Sequence, residues 1–218
     1  MTYVQAANTS LKLQLQARPS FVVLGQNVDA GSRLAGLSTS FSSLDHVRVV
    51  NSTNSENALV GCGFGLMLRD QPSLLLLKQE DFLLLGIDQL VNTWNAVRGS
   101  RTFVPFVIGV IVVDSGWEGP QSGFNNTSGI ASLARIPWYT PSGLREMELA
   151  CAGAFGGGPR ILALSQRLFR EDIVSDHGDS REEHTGYISY TFAAGNHPRR
   201  RILILSLNFS LPQCIDLA

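Results

Sequence analysis

Short apolar runs rich in β-branched residues alternate along this chain with stretches whose apolar positions recur at helical spacing. Residues 21–25 (Phe-Val-Val-Leu-Gly), 47–50, 74–77, 103–113 and 161–164 read as strands. Residues 57–69 read as a helix with Asn54 or Ser55 as its N-cap. Residues 81–97 place Leu84, Ile87, Leu90, Val91 and Trp94 on one stripe and predict a second helix. A third, over 144–154, follows the turn Pro141-Ser142-Gly143 and closes at Gly156-Gly157-Gly158. The stretch up to Ala17 reads as a helix lying outside the domain. This alternation predicts an α/β fold, a three-layer sandwich around a mostly parallel sheet whose strands are buried on both faces.

The pattern weakens after Val174, and the chain divides into an α/β domain over 1–174 and a segment, 175–218, of uncertain role. Residues 175–184 mix charge with glycine and read as an exposed loop, while 187–192 and 202–207 read as a strand pair. Across all 218 residues, 17 Lys and Arg balance 18 Asp and Glu, a net charge of −1 that gives no electrostatic drive toward nucleic acid or an anionic membrane. Only 16% of residues are charged against 44% hydrophobic, which excludes disorder and suggests that apolar surface is buried between subunits. The longest apolar run, 11 residues, falls well short of the ~20 needed to span a bilayer. The first residues have neither a signal-peptide nor a transit pattern, and Cys62, Cys151 and Cys214 are too scattered for a disulfide framework. These features predict a cytoplasmic, soluble protein.

Most candidate motifs reduce to plainer readings. Gly61-Cys62-Gly63-Phe64-Gly65 departs from the dinucleotide spacing and falls within a predicted helix, where small residues serve close packing. His177, Asp179, Glu182, Glu183 and His184 match no metal-ligand spacing, and Arg199-Arg200-Arg201 is a short charged run suited to a surface or subunit contact. No metal-binding set is assigned to this chain. Glu56 is more informative. It follows a strand and begins an apolar helix, where exposed N–H groups and the helix dipole favour a carboxylate. Taken alone, it reads as a capping-turn glutamate.

In order along residues 21–169, the chain resembles the pyrimidine-binding domain of thiamine-diphosphate enzymes, in the transketolase and 2-oxo acid dehydrogenase beta-subunit branch. Residues 21–28 are similar to the family's opening strand, and 51–61 (Asn-Ser-Thr-Asn-Ser-Glu-Asn-Ala-Leu-Val-Gly) to the segment carrying its catalytic glutamate. Asp81-Phe82, followed by Ile87-Asp88-Gln89-Leu90-Val91-Asn92, resembles its aromatic and Asp-Gln-x-x-Asn segment. Ile136-Pro137, Thr140-Pro141-Ser142 and residues 158–164 match later landmarks.

The resemblance implies a thiamine-diphosphate-binding fold of the pyrimidine-binding type. It makes Glu56 the catalytic carboxyl that hydrogen-bonds the aminopyrimidine and thereby activates the thiazolium carbon. It makes Phe82 the aromatic stacked on the pyrimidine and places Leu59 and Val60 near the cofactor's bend; without it, all three read as core residues. The departures matter equally. The family's substrate-side histidine falls twelve or thirteen residues before Pro137, where this chain has Asn125 and Phe124, and no histidine lies between His46 and His177. Asn125 becomes the tentative substrate-facing residue, able to hydrogen-bond but not to shuttle a proton. The family's acidic pair after the first strand is Gln26-Asn27 here, and the aromatic three places before Phe82 is Gln79. The Gly-Asp-Gly…Asn motif that holds the diphosphate and Mg²⁺ in the family is missing, Gly178-Asp179-Ser180 being the nearest string.

The resemblance therefore implies a split enzyme. A partner subunit with that motif would hold the Mg²⁺, and the assembly would be a dimer of heterodimers with its active site at the interface. The implied reaction cleaves a bond next to the carbonyl of a 2-oxo acid or ketose and transfers the resulting unit. A non-catalytic paralogue with a structural or regulatory role is the competing expectation, motivated by the absent histidine and opposed by Glu56.

Overall fold

A strand buried on both faces must be almost wholly apolar, and two central runs of this chain meet that requirement, with Ser73 the one polar residue among them. In the computed structural model, which describes residues 1–116, 119, 125–175, 180–184, 187–191, 209 and 212–213, they are β3 (Ser73–Leu77) and β4 (Pro105–Val112), buried throughout. With β1 (Phe21–Gly25), β2 (Val47–Asn51), β5 (Trp138–Tyr139) and β6 (Gly158–Ser165) they form one sheet, ordered β2-β1-β3-β4-β6-β5. Every pairing is parallel. The longest register joins β4 to β6, from Pro105 opposite Gly158 to Val112 opposite Ser165.

Helices flank the sheet in two groups, so the architecture is the α/β sandwich expected. α2 (Glu56–Leu68) packs on β3 and β4, with Phe64 edge-on to Phe106 at 5.2 Å between ring centroids. α1 (Tyr3–Gln16) packs on α5 (Leu144–Ala154), which rests on β5 and β6. The glycine-rich run lies inside α2, and there is a steric reason for it. A Cβ on Gly63 would overlap the ring of Phe106, so the small residue lets the helix sit close on the sheet. α3 (Trp94–Val97) and α4 (Thr127–Ala134) are the other α-helices among the described residues.

Four local expectations change. α1 is an integral layer and not a helix lying outside: Tyr3, Leu11 and Leu15 are fully buried, and the Tyr3 hydroxyl donates to the Pro141 carbonyl at 2.6 Å. The helix expected over 81–97 is a 3₁₀ turn (Glu80–Gly86), a π-helical turn (Gln89–Thr93) and the short α3. Leu90 is buried as its stripe requires, but Leu84 and Leu85 face outward at 46% and 61% exposure. The break serves packing, because Gly86 sits so close to α2 that a Cβ would lie 2.6 Å from Val60 Cγ2. α4 and β5 are elements the periodicity does not announce, being only eight and two residues long.

The fourth change concerns the tail. Residues 180–184, expected as loop, form β7 (Ser180–His184), which pairs antiparallel with β8 (Tyr187–Thr191) as a separate two-stranded sheet. The expected strand at 202–207 and Arg199-Arg200-Arg201 lie outside the described residues.

Replacing Gly63 with alanine should force α2 away from Phe106. We expect Gly63→Ala to destabilise the fold by about 1–3 kcal/mol, read as a lower midpoint in chemical denaturation.

Candidate functional site

In a parallel sheet all strands end at one edge, so residues following neighbouring strands converge there. β2, β1 and β3 are adjacent and in that order. From β1 the chain moves to one side to form β2, then returns across to form β3 on the other side. Such a reversal opens a crevice at the carboxyl ends of the strands. Three segments lead into it: Gln26 directly after β1, residues 52–56 after β2, and the 3₁₀ turn after β3.

Gly25 allows the first of these. Its φ of +151° and its place against β3 exclude a side chain, since a Cβ would overlap the Leu76 carbonyl oxygen. The chain then delivers Gln26 toward α2. Gln26 Nε2 donates to Glu56 Oε1 at 2.9 Å.

Glu56 is the first residue of α2 and is only 7% exposed. Ser55, the N-cap, supplies no side-chain hydrogen bond to the helix, and Glu56 is the acidic residue of its first turn. Nearby in sequence, Ser52 Oγ is buried and has no hydrogen-bond partner. The 3₁₀ turn rests on this same end of the helix, where Gly86 faces Val60 and the Glu56 carbonyl. That turn carries Phe82, which is half-buried. Leu59 retains 8% exposure, while Val60 is wholly buried beneath Gly86. The helix start and the Phe82 turn are thus one packed unit.

Sequence reasoning missed the residue that ties this unit to α4. Glu80 is 1% exposed, and both its oxygens are used: Oε1 accepts from the Thr127 hydroxyl at 2.6 Å and Oε2 from the Asn126 N–H at 3.1 Å. Burial pushes its carboxyl above the ordinary glutamate range; the two hydrogen bonds oppose this, and the charge of Asp81 adds to it. Asp81, raised by desolvation, has both carboxyl oxygens occluded and without a partner outside its own backbone. Asn125 is exposed and immediately precedes the α4 N-cap, Asn126, while Phe124 lies outside the described residues. Glu80 left no local signal, because its mates lie 46 and 47 residues away.

His177 and Asp179 lie outside the described residues, Glu182 is exposed, and among the described residues no three His, Cys, Asp or Glu side chains converge as a metal-binding group. Cys62 is exposed on α2 and Cys151 is buried. No helix of the described residues is long and apolar enough to cross a membrane.

No family model matches the chain. Among solved structures it is similar to benzoylformate decarboxylase from Polynucleobacter necessarius, with a TM-score of 0.57 and 17% identity, over 82% of this chain and 33% of that one. It is also similar to a split-gene transketolase, an inactive beta4 tetramer, with a TM-score of 0.49 and 12% identity, over 74% of this chain and 50% of that one. The chain thus spans half of one and a third of the other. At 17% identity the likeness to the decarboxylase is one of fold. A parallel six-stranded sheet flanked by helices is consistent with the pyrimidine-binding domains of thiamine-diphosphate enzymes.

The raised carboxyl of Glu80 has a consequence for stability. A group whose folded pKa exceeds its unfolded value stabilises most below the unfolded value, near 4.3 for glutamate, and that contribution fades as pH rises through the folded value. Glu80→Gln should remove this part of the pH dependence and make the protein more stable at neutral pH, as measured by denaturation midpoints across pH. Glu80→Ala should instead cost about 1–3 kcal/mol by leaving the Asn126 N–H and Thr127 hydroxyl unpaired.

Proposed function

We propose that this chain is the pyrimidine-binding part of a split thiamine-diphosphate enzyme, completed by a second polypeptide. It acts on a 2-oxo acid or a ketose, cleaving a bond next to the carbonyl and transferring the resulting unit. The observation that carries this reading is the placement of Glu56. It is a buried carboxyl at the start of a helix over the carboxyl edge of a parallel sheet, with the Phe82 turn packed on the same end. The fold likeness to benzoylformate decarboxylase, an enzyme of the thiamine-diphosphate class, supports it.

The donor set fits the aminopyrimidine half of the cofactor. Gln26 holds Glu56 Oε1 through a neutral donor, and the carboxyl so held would hydrogen-bond a ring nitrogen of the cofactor. Phe82, half-buried, offers a ring face for stacking, worth about 0.5–1.5 kcal/mol beyond burial. Leu59 supplies apolar contact, and Val60 backs it from beneath Gly86. The buried, unpartnered Ser52 Oγ is a polar group left for a ligand to satisfy. When bound, thiamine diphosphate supplies the electron sink that lets a bond beside a carbonyl break.

Asn125, exposed at the start of α4, donates a hydrogen bond to substrate and moves no proton. The diphosphate and Mg²⁺ belong to the partner chain, the Gly-Asp-Gly…Asn subunit, in a dimer of heterodimers. The outward Leu84 and Leu85, on the turn that carries Phe82, supply apolar surface for such a contact. The assembly is cytoplasmic.

The test recovers the tagged chain from its host with whatever it binds, adds thiamine diphosphate and Mg²⁺, and follows deuterium exchange at the thiazolium carbon. The assembly should accelerate exchange over free cofactor, and Glu56→Gln should slow it by about 10²–10⁴-fold while the complex still forms. Exchange unchanged in Glu56→Gln would remove the catalytic assignment and leave the non-catalytic paralogue as the better reading.

A further inference from the structure

A buried carboxylate carries a desolvation cost, so its partners indicate what it is there to hold. Glu80 spends both oxygens on one target, the first turn of α4, accepting from the Asn126 N–H and the Thr127 hydroxyl. A helix's own N-cap side chain reaches the N2 or N3 N–H, and Asn126 makes no such bond. Glu80, in the turn that follows β3, takes a different pair of donors, the N–H of the N-cap Asn126 itself and the Thr127 hydroxyl, and so holds the helix end from another element.

The distinction has a structural consequence. A local cap stabilises a helix wherever it lies, whereas a remote one also fixes the helix against the element that supplies the cap. Here that element carries Phe82 two residues after Glu80, and the capped helix carries Asn125 one residue before its N-cap. α4 is only eight residues long, too short to hold its place by propensity alone. We infer that Glu80 is a positioning residue, holding the α4 N-terminus and Asn125 in register with the Phe82 turn through its bonds to Asn126 and Thr127. The Phe82 turn and the α4 N-terminus are thereby joined across 46 residues of sequence. For its chemical meaning the inference rests on the function proposed above, since Asn125 faces substrate only in that reading.

The test uses Glu80→Ala, Glu80→Gln and Thr127→Val in the tagged chain recovered with its partners. Amide hydrogen exchange is read in peptides covering 79–86 and 125–134, and turnover is measured on pyruvate and on fructose 6-phosphate. Glu80→Ala should speed exchange in both peptides by about tenfold, raise KM for whichever probe is turned over by a similar factor, and leave thiazolium deuterium exchange within about twofold. Glu80→Gln should restore both readouts, because its amide oxygen accepts from Asn126 N–H and its amino group donates to Thr127. Thr127→Val should speed exchange in 125–134 more than in 79–86.

Glu80→Ala with exchange altered only in 79–86 overturns the inference, as does Glu80→Gln behaving like Glu80→Ala in KM. If Glu80→Ala does not fold, Thr127→Val decides: unaltered exchange at 125–134 refutes the link. If neither probe is turned over, the exchange pattern alone decides. Failure of the cofactor reading is a separate outcome, visible only as unchanged thiazolium exchange in Glu56→Gln.

Discussion

Glu56 and Glu80 are buried at the carboxyl edge of this sheet, and the carboxyl of each takes donors from a neighbouring element. Those bonds organise the edge. Glu56 is met by the amide of Gln26 and by its position in the first turn of α2; Glu80 is met by the first turn of α4. Both solutions use helix N-termini, whose unpaired N–H groups and dipole favour negative charge. The β-α units of a parallel sheet place helix N-termini beside strand C-termini, so the arrangement follows from the topology. What the sequence adds is the choice of which strand end supplies each group.

The precision of the edge comes from glycines. Gly25 lets β1 end against the Leu76 carbonyl, Gly63 lets α2 settle on Phe106, and Gly86 lets the Phe82 turn seat on Val60 and the Glu56 carbonyl. Each marks a place where a methyl group would separate two elements by a distance comparable to a hydrogen-bond tolerance. The sheet fixes direction, and the glycines fix spacing. A single substitution in α2 can therefore reach the crevice without touching a polar residue.

Much of this was legible from local pattern. The core strands are buried apolar runs, and α2 carries its apolar residues within a few positions of one another, so both appear in any short window. Glu56 was visible because its helix begins where a strand ends. The 3₁₀ and π segments were not visible: the stripe of Leu84, Ile87, Leu90, Val91 and Trp94 has helical spacing, and only the seating of Gly86 on α2 shows why the chain departs from a regular helix. α1 looked peripheral because its packing partners, Phe169 and Pro141, lie far along the chain. Gln26 read as a departure from the family's acidic pattern, yet it is the donor to Glu56. Glu80 had no signature, since burial and partners both depend on α4.

The substitution of amides for titratable groups has a chemical meaning on the proposed reading. An acidic residue in place of Gln26 would put an acceptor where Glu56 Oε1 now receives a hydrogen bond, whereas the amide supplies a neutral donor. Asn125 in place of a histidine likewise orients without titrating. Glu56 is then left as the one group assigned to proton exchange with the cofactor. Glu80 and Asp81 are held above their ordinary range by burial, with Glu80 committed to α4. On that reading, a crevice built this way would suit a reaction whose protons travel through the cofactor or the partner chain more than through this subunit. Substrates needing little proton transfer on the side of α4 fit it better than those needing a dedicated acid there.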